Sequence, residues 1–213
     1  MPDLNQRKKR ATAVFDLLDP LYTRQKTALT YKTPFELLIS TILSAQCTDK
    51  QVNTVTRTLF QKYRSPGDFL SVPVSELEAD IRPTGFFRNK AKSIRGCAQG
   101  LMDLYQGQVP ATMGELLKLP GVGRKTANCV LGAAFDIPGV VVDTHVKRLA
   151  LRLELTENKD PDKIEADLGE LLPKKRWRRF SDLLIYHGRA VCKARNPDHG
   201  ACVLFEHCPS NTI

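Results

Sequence analysis

Apolar residues recur along most of this chain at intervals of three and four, the period of a helix that buries one face. Val52, Val55, Leu59 and Tyr63 form one stripe, and Ala91, Ile94, Ala98, Leu101 and Tyr105 form a second that stops at Gly107. Val146, Leu149, Ala150 and Leu153 form a third, behind an Asp143-Thr144 cap. Residues 35–43 are almost continuously apolar, which predicts a helix buried on all sides. Thr33-Pro34-Phe35-Glu36 reads as the capping box that opens it, with proline at the first helical position. Thr112 and Glu115 read as a second capping box, opening a short helix that ends at Leu119-Pro120. Three more helices are predicted over 124–135, 160–173 and 176–187, and Ser65-Pro66-Gly67 reads as a stop. Strand-like alternation is scarce and no internal repeat is visible. The pattern predicts an all-α fold with short connections.

A chain of 213 residues can bury a core as one large domain or as two of about 100 residues each. It has no run of 18 apolar residues, and its polar, basic start lacks the apolar centre of a secretory signal. The expectation is a cytoplasmic protein with no membrane partner, associated with the nucleoid if bacterial. The net charge of +9 is clustered in Arg7, Lys8, Lys9 and Arg10, in Lys174, Lys175, Arg176, Arg178 and Arg179, and in Arg189, Lys193 and Arg195. Such clusters attract a polyanion and release its counterions, although a basic solubility surface has the same composition.

Cys47, Cys97 and Cys129 lie in or beside apolar helical patterns and read as buried thiols of a reducing compartment, with no disulfides. The other three cysteines follow His187-Gly188-Arg189 as Cys192, Cys202 and Cys208. With His199 they make the spacing C-x6-H-x2-C-x5-C. Soft ligands so closely spaced can close around a metal or a cluster. The donor set suits a structural zinc ion as well as an iron–sulfur cluster in which one histidine replaces a thiolate.

Leu119-Pro120-Gly121-Val122-Gly123-Arg124-Lys125-Thr126-Ala127 places a glycine turn between two short helices. The amides of Gly121, Val122, Gly123 and Arg124, at the positive end of the second helix, suit a DNA phosphate and carry no sequence information. A plain helix–helix turn has the same pattern. Lys125 is then either a phosphate contact or a nucleophile, since a helix N-terminus disfavours an ammonium. Asp143 is either a helix cap or a carboxylate facing a reacting centre.

Several separated motifs together resemble the endonuclease III family of DNA glycosylases over nearly the whole chain. They are residues 119–130, Val142-Asp143-Thr144-His145 and the tail 187–208, with Ser44-Ala45-Gln46-Cys47-Thr48-Asp49 and Gly85-Phe86-Phe87-Arg88-Asn89-Lys90-Ala91. The resemblance implies a two-lobed helix-hairpin-helix glycosylase. A six-helix lobe, 27–137, would contain the hairpin at 112–135. Residues 1–26 with 138–213 would form a second lobe carrying a cluster loop, 192–208. DNA would bind in a cleft between the lobes.

The implied activity is that of a bifunctional glycosylase and AP lyase, a monomer that excises oxidised pyrimidines from double-stranded DNA and nicks abasic sites by β-elimination. Lys125 would be the nucleophile and Asp143 the carboxylate that stabilises the cationic sugar. Gln46 would fill the space left by the flipped nucleotide, with Phe86 as a wedge on the opposite strand. His145, Lys193 and Arg195 would lie against the DNA backbone. A 4Fe-4S cluster would be held by Cys192, His199, Cys202 and Cys208. The family's own motif has cysteine where this chain has His199, so zinc stays open as the alternative. A monofunctional adenine or mismatch glycosylase and a non-catalytic DNA-binding paralogue are the rival functions.

Overall fold

The structure, a computed structural model, describes residues 2–23 and 27–211. Among these residues are eleven α-helices, three short 3-10 turns and no strand, so the chain is all-α as its periodicity requires. No described helix is long and apolar enough to cross a membrane. The helices are α1 (Leu4–Leu18), α2 (Pro34–Leu43), α3 (Asp49–Lys62), α4 (Pro66–Ser71), α5 (Val74–Ile81) and α6 (Phe87–Tyr105). They continue as α7 (Met113–Leu116), α8 (Arg124–Ala134), α9 (Thr144–Arg152), α10 (Pro161–Leu171) and α11 (Trp177–Ala190). Two compact units result, one of Gln25–Ile137 and one of Met1–Arg24 with Pro138–Ile213.

In the first unit α2 is the buried axis: residues 35 and 37–43 are buried, and α2 packs against α3, α6 and α8. Around it Tyr63 stacks on Phe69 with ring centroids 4.7 Å apart, and Phe35 meets Phe69 edge-on at 5.7 Å. The buried Tyr63 hydroxyl donates to Asp80 Oδ2 at 2.6 Å, so its polar end is satisfied. Seven described α-helices lie here, one more than six, because Ser65 and Pro66 do more than end α3. Ser65 is the N-cap of α4 in a full capping box with Asp68. The box expected at Thr33 is one-sided: Thr33 accepts from the Glu36 amide, but the Glu36 carboxylate accepts from the Lys32 amide. At Thr112 the hydroxyl itself donates to the Glu115 carboxylate.

The second unit is built from both ends of the chain. Helix α1, opened by an Asp3–Gln6 capping box, packs against α10 and α11, and α9 packs against α11. The last contact depends on Gly188, where a Cβ would lie 3.1 Å from His145 Cβ, Leu149 Cδ1 and an Arg148 nitrogen. Part of the clustered basic charge is also engaged in the fold here. Arg179 donates to Asp19 Oδ1 at 2.6 Å and to the Tyr22 carbonyl, and Arg176 reaches Asp16 across the Phe15 ring. Arg7 and Arg10 donate to the carbonyls of Leu155 and Leu153, at the negative end of α9. Lys8, Lys9, Lys174, Lys175, Arg189, Lys193 and Arg195 remain exposed.

Candidate active site and cluster loop

Between α7 and α8 the chain turns at Gly121, whose φ of 78° lies in the left-handed region. The turn is pressed onto α6, since a Cβ at Gly121 would come within 2.6 Å of Ser93 Cβ. Pro120 uses a second glycine of α6: a Cβ at Gly96 would meet Pro120 Cβ at 2.9 Å. Leu119 and Val122 anchor the hairpin in the core. Gly123 is the N-cap of α8 and brings no side-chain oxygen to its first turn. Gly121, Gly123 and Lys125 are exposed, with Arg124 half-buried beside them. Lys125 is the second residue of α8, at the positive end of that helix.

Asp143, carried by the other unit, is the N-cap of α9 and is half-buried. Its Oδ1 accepts from the amides of His145 and Val146, both at 2.8 Å, so the cap engages a single carboxylate oxygen. His145 Nδ1 lies 3.1 Å from an Arg148 guanidinium nitrogen. Arginine only donates, so Nδ1 accepts and Nε2 carries the ring proton. Arg148 also donates to the carbonyls of Gly188 and Cys192, which ties α9 to the start of the cluster loop.

The two turns expected to meet the base stack share an unusual backbone. Gln46, between α2 and α3, has φ 51°, and Phe86, the N-cap of α6, has φ 48°. Left-handed backbone is strained for residues with a β-carbon. Phe86 is also 60% exposed, the largest fractional exposure among the bulky apolar side chains described, so it is not buried beside Phe87.

In the tail, Cys192, Cys202 and Cys208 are free, half-buried thiols that line one cavity together with His199. Burial pushes the Cys202 and Cys208 thiols up, and nearby thiolates add to it. The His199 ring lies 5.8 Å from that of Phe205. Arg152, one turn beyond Arg148 on α9, donates to Cys192 Sγ at 3.2 Å and to the carbonyls of Lys193 and Ala194. His187 Nε2 lies 3.5 Å from Cys202 Sγ, while its Nδ1 meets the Tyr22 hydroxyl at 3.2 Å. That histidine is 1% exposed, and burial lowers its pKa to about 4. Lys193 and Arg195 are exposed between Cys192 and His199. Arg148, Arg152 and His187 were not assigned these contacts from the sequence. Only the i, i+4 arginine spacing on α9 hinted at a shared target.

Residues 39–174 match the HhH-GPD superfamily of base excision DNA repair proteins, and residues 192–208 match the iron-sulfur binding domain of endonuclease III. Endonuclease III of Synechocystis sp. is 52% identical over 205 residues, covering 96% of this chain and 94% of that one. Endonuclease III of Bacillus subtilis is 43% identical, covering 94% and 92%. Among solved structures, a non-covalent endonuclease III–DNA complex superposes with a TM-score of 0.91 at 42% identity over 96% of each chain. A trapped endonuclease III–DNA covalent intermediate has the same TM-score, identity and coverage. A thermostable thymine-DNA glycosylase follows at 0.81 and 25%, covering 97% of each.

The tail residues fit an iron–sulfur group. Three thiols converge on one cavity, the Arg152 guanidinium donates to one sulfur, and the His187 ring stands beside another, polar partners that suit an anionic cluster. The zinc alternative is set aside. The matched domain is an iron–sulfur one.

Proposed function

The chain belongs to the endonuclease III family of base excision DNA repair proteins, and from that membership we propose that Lys125 and Asp143 carry its chemistry on oxidised pyrimidines. It is a bifunctional DNA glycosylase and AP lyase that binds an iron–sulfur cluster. The observation that carries the assignment is the position of Lys125, an exposed amine at the N-terminal end of α8 directly behind a phosphate-binding hairpin. A phosphate held by the amides beside Gly121 and Gly123 brings the adjoining sugar to the amine.

Unprotonated Lys125 Nζ attacks C1′ of the damaged nucleotide and the base departs with the glycosidic electron pair. Asp143 stabilises the cationic sugar as that bond breaks. The sugar ring opens to a Schiff base on Nζ, which takes up the C2′–H electron pair as that proton is removed; the pair then forms the C2′–C3′ double bond as the 3′ phosphate leaves with the C3′–O pair. Water then releases the lysine. One oxygen of Asp143 is occupied by the α9 cap, which holds the carboxylate in a fixed orientation through the reaction.

Gln46 and Phe86 replace the extruded nucleotide and wedge the opposite strand, a reading supported by their exposure on strained turns. His145, Lys193 and Arg195 contact backbone phosphates. The cluster is of the 4Fe-4S type with Cys192, His199, Cys202 and Cys208 as ligands. When bound it is structural and electrostatic, holding the basic loop toward DNA. Iron and sulfide analysis, with Mössbauer spectra of His199→Cys against the parent, tests both the cluster type and the histidine ligand.

Incubating the protein with a duplex containing an oxidised pyrimidine in the presence of borohydride tests the chemistry. A covalent adduct that disappears in Lys125→Gln is expected. An adduct that persists in that variant, or DNA binding without any cleavage by the parent protein, overturns the assignment.

A further inference from the structure

Lys90 is a buried ammonium that the chemistry above does not use. It lies in the first turns of α6 and is only 5% exposed. Its Nζ donates to the carbonyl of Thr84 at 2.7 Å, and its amide donates to the carbonyl of Phe86 at 3.0 Å. One residue therefore grips the Phe86 turn on both sides, across the left-handed pair Gly85 (φ 71°) and Phe86 (φ 48°). Burial pushes the Lys90 pKa down, and the neighbouring Cys47 acts in the opposite direction.

This is a poor place for a positive charge. The N-terminal end of α6 is itself positive, and an ammonium loses most of its hydration when buried. Methionine would fill the same space without either cost, but it could not bond the Thr84 carbonyl. We propose that Lys90 is a positioning residue that locks the Phe86 turn, so that the Phe86 side chain is presented to the duplex in a fixed place. The proposal rests on the reading of Phe86 as a residue that enters the base stack.

A double-mutant cycle on the iron-loaded protein tests it, using Lys90→Met, Phe86→Ala and the pair. Two rates are measured, base excision from a lesion duplex and strand cleavage at a preformed abasic site, where no base is left to extrude. Lys90→Met is expected to slow excision by roughly tenfold while slowing abasic-site cleavage far less. In the Phe86→Ala background it is expected to add almost nothing, as coupled residues behave. Lys90→Gln, which keeps an N–H donor for Thr84, is expected to recover part of the loss at a temperature where all variants are folded. Equal losses in both rates, independent effects of Lys90→Met and Phe86→Ala, or identical behaviour of the Gln and Met variants would each overturn the positioning role. If Phe86→Ala alone leaves excision unchanged, the wedge reading itself fails, and Lys90 loses its purpose with it.

Discussion

Asp143 combines two functions in one carboxylate, and they can be separated by substitution. Asparagine retains an oxygen for the amides of His145 and Val146, whereas alanine removes it. On our reading both Asp143→Asn and Asp143→Ala lose about a hundredfold or more in excision, because neither carries the negative charge. Only Asp143→Ala is expected to lose about 1 kcal/mol of stability in urea unfolding. Gly121→Ala is a purely steric case. A β-carbon there meets left-handed backbone and Ser93 together, and the expected cost is about 1–3 kcal/mol by the same assay. Both residues were legible in the sequence because their signals are local: an acid before an apolar stripe, a glycine between two helices. The roles of Lys90 and His187 were not, although both lie in motifs the sequence singled out. Lys90 bonds back to Thr84 and His187 meets Tyr22, and the spacing of neither motif announces that its basic side chain is buried.

Helix α9 links the N-cap carboxylate at one end to the cluster loop near the other. Arg148 and Arg152 project from it one turn apart and hold the carbonyls of residues 188 and 192–194. Arg152→Leu removes the donor to Cys192 Sγ and two carbonyl bonds. It is expected to lose iron in air several-fold faster than the parent while keeping its far-ultraviolet circular dichroism, with iron content as the readout. Unchanged iron retention would show that Arg152 only fixes the loop's surface. Most helices could be placed from apolar period and caps. Helices α4 and α5 were missed, α4 because Ser-Pro-Gly signals a stop and a start with the same residues, and only the Asp68 carboxylate returning to the Ser65 amide distinguishes them. The reciprocal halves of the Thr33 and Thr112 boxes also went elsewhere, since side-chain rotamers are not encoded in spacing.

For the whole molecule, the net charge overstates the surface available to DNA. Lys193→Ala and Arg195→Ala should each reduce the salt slope of DNA binding by about one counterion. Arg179→Ala should leave the slope unchanged and cost about 2 kcal/mol of stability, because its guanidinium is committed to Asp19 and to backbone carbonyls. A linear count of basic residues could not separate these classes.

Alkaline stability follows from Tyr63. Burial and then the bond to Asp80 raise its pKa from 10.0 to about 12. The unfolded chain therefore ionises first, and the contribution of Tyr63 is complete below pH 10 and is lost as pH rises through 12. Tyr63→Phe is expected to cost about 1–2 kcal/mol in urea unfolding at neutral pH, and that difference should shrink at about pH 11.

The order of the units along the chain has a consequence for synthesis. Helix α1 belongs with α10, α11 and the turn at Phe205–His207, yet the whole Gln25–Ile137 unit is translated before any of them. On the ribosome, α1 must wait, its apolar face uncovered, until the residues of α10 and α11 have been added, while the Gln25–Ile137 unit can fold ahead of it.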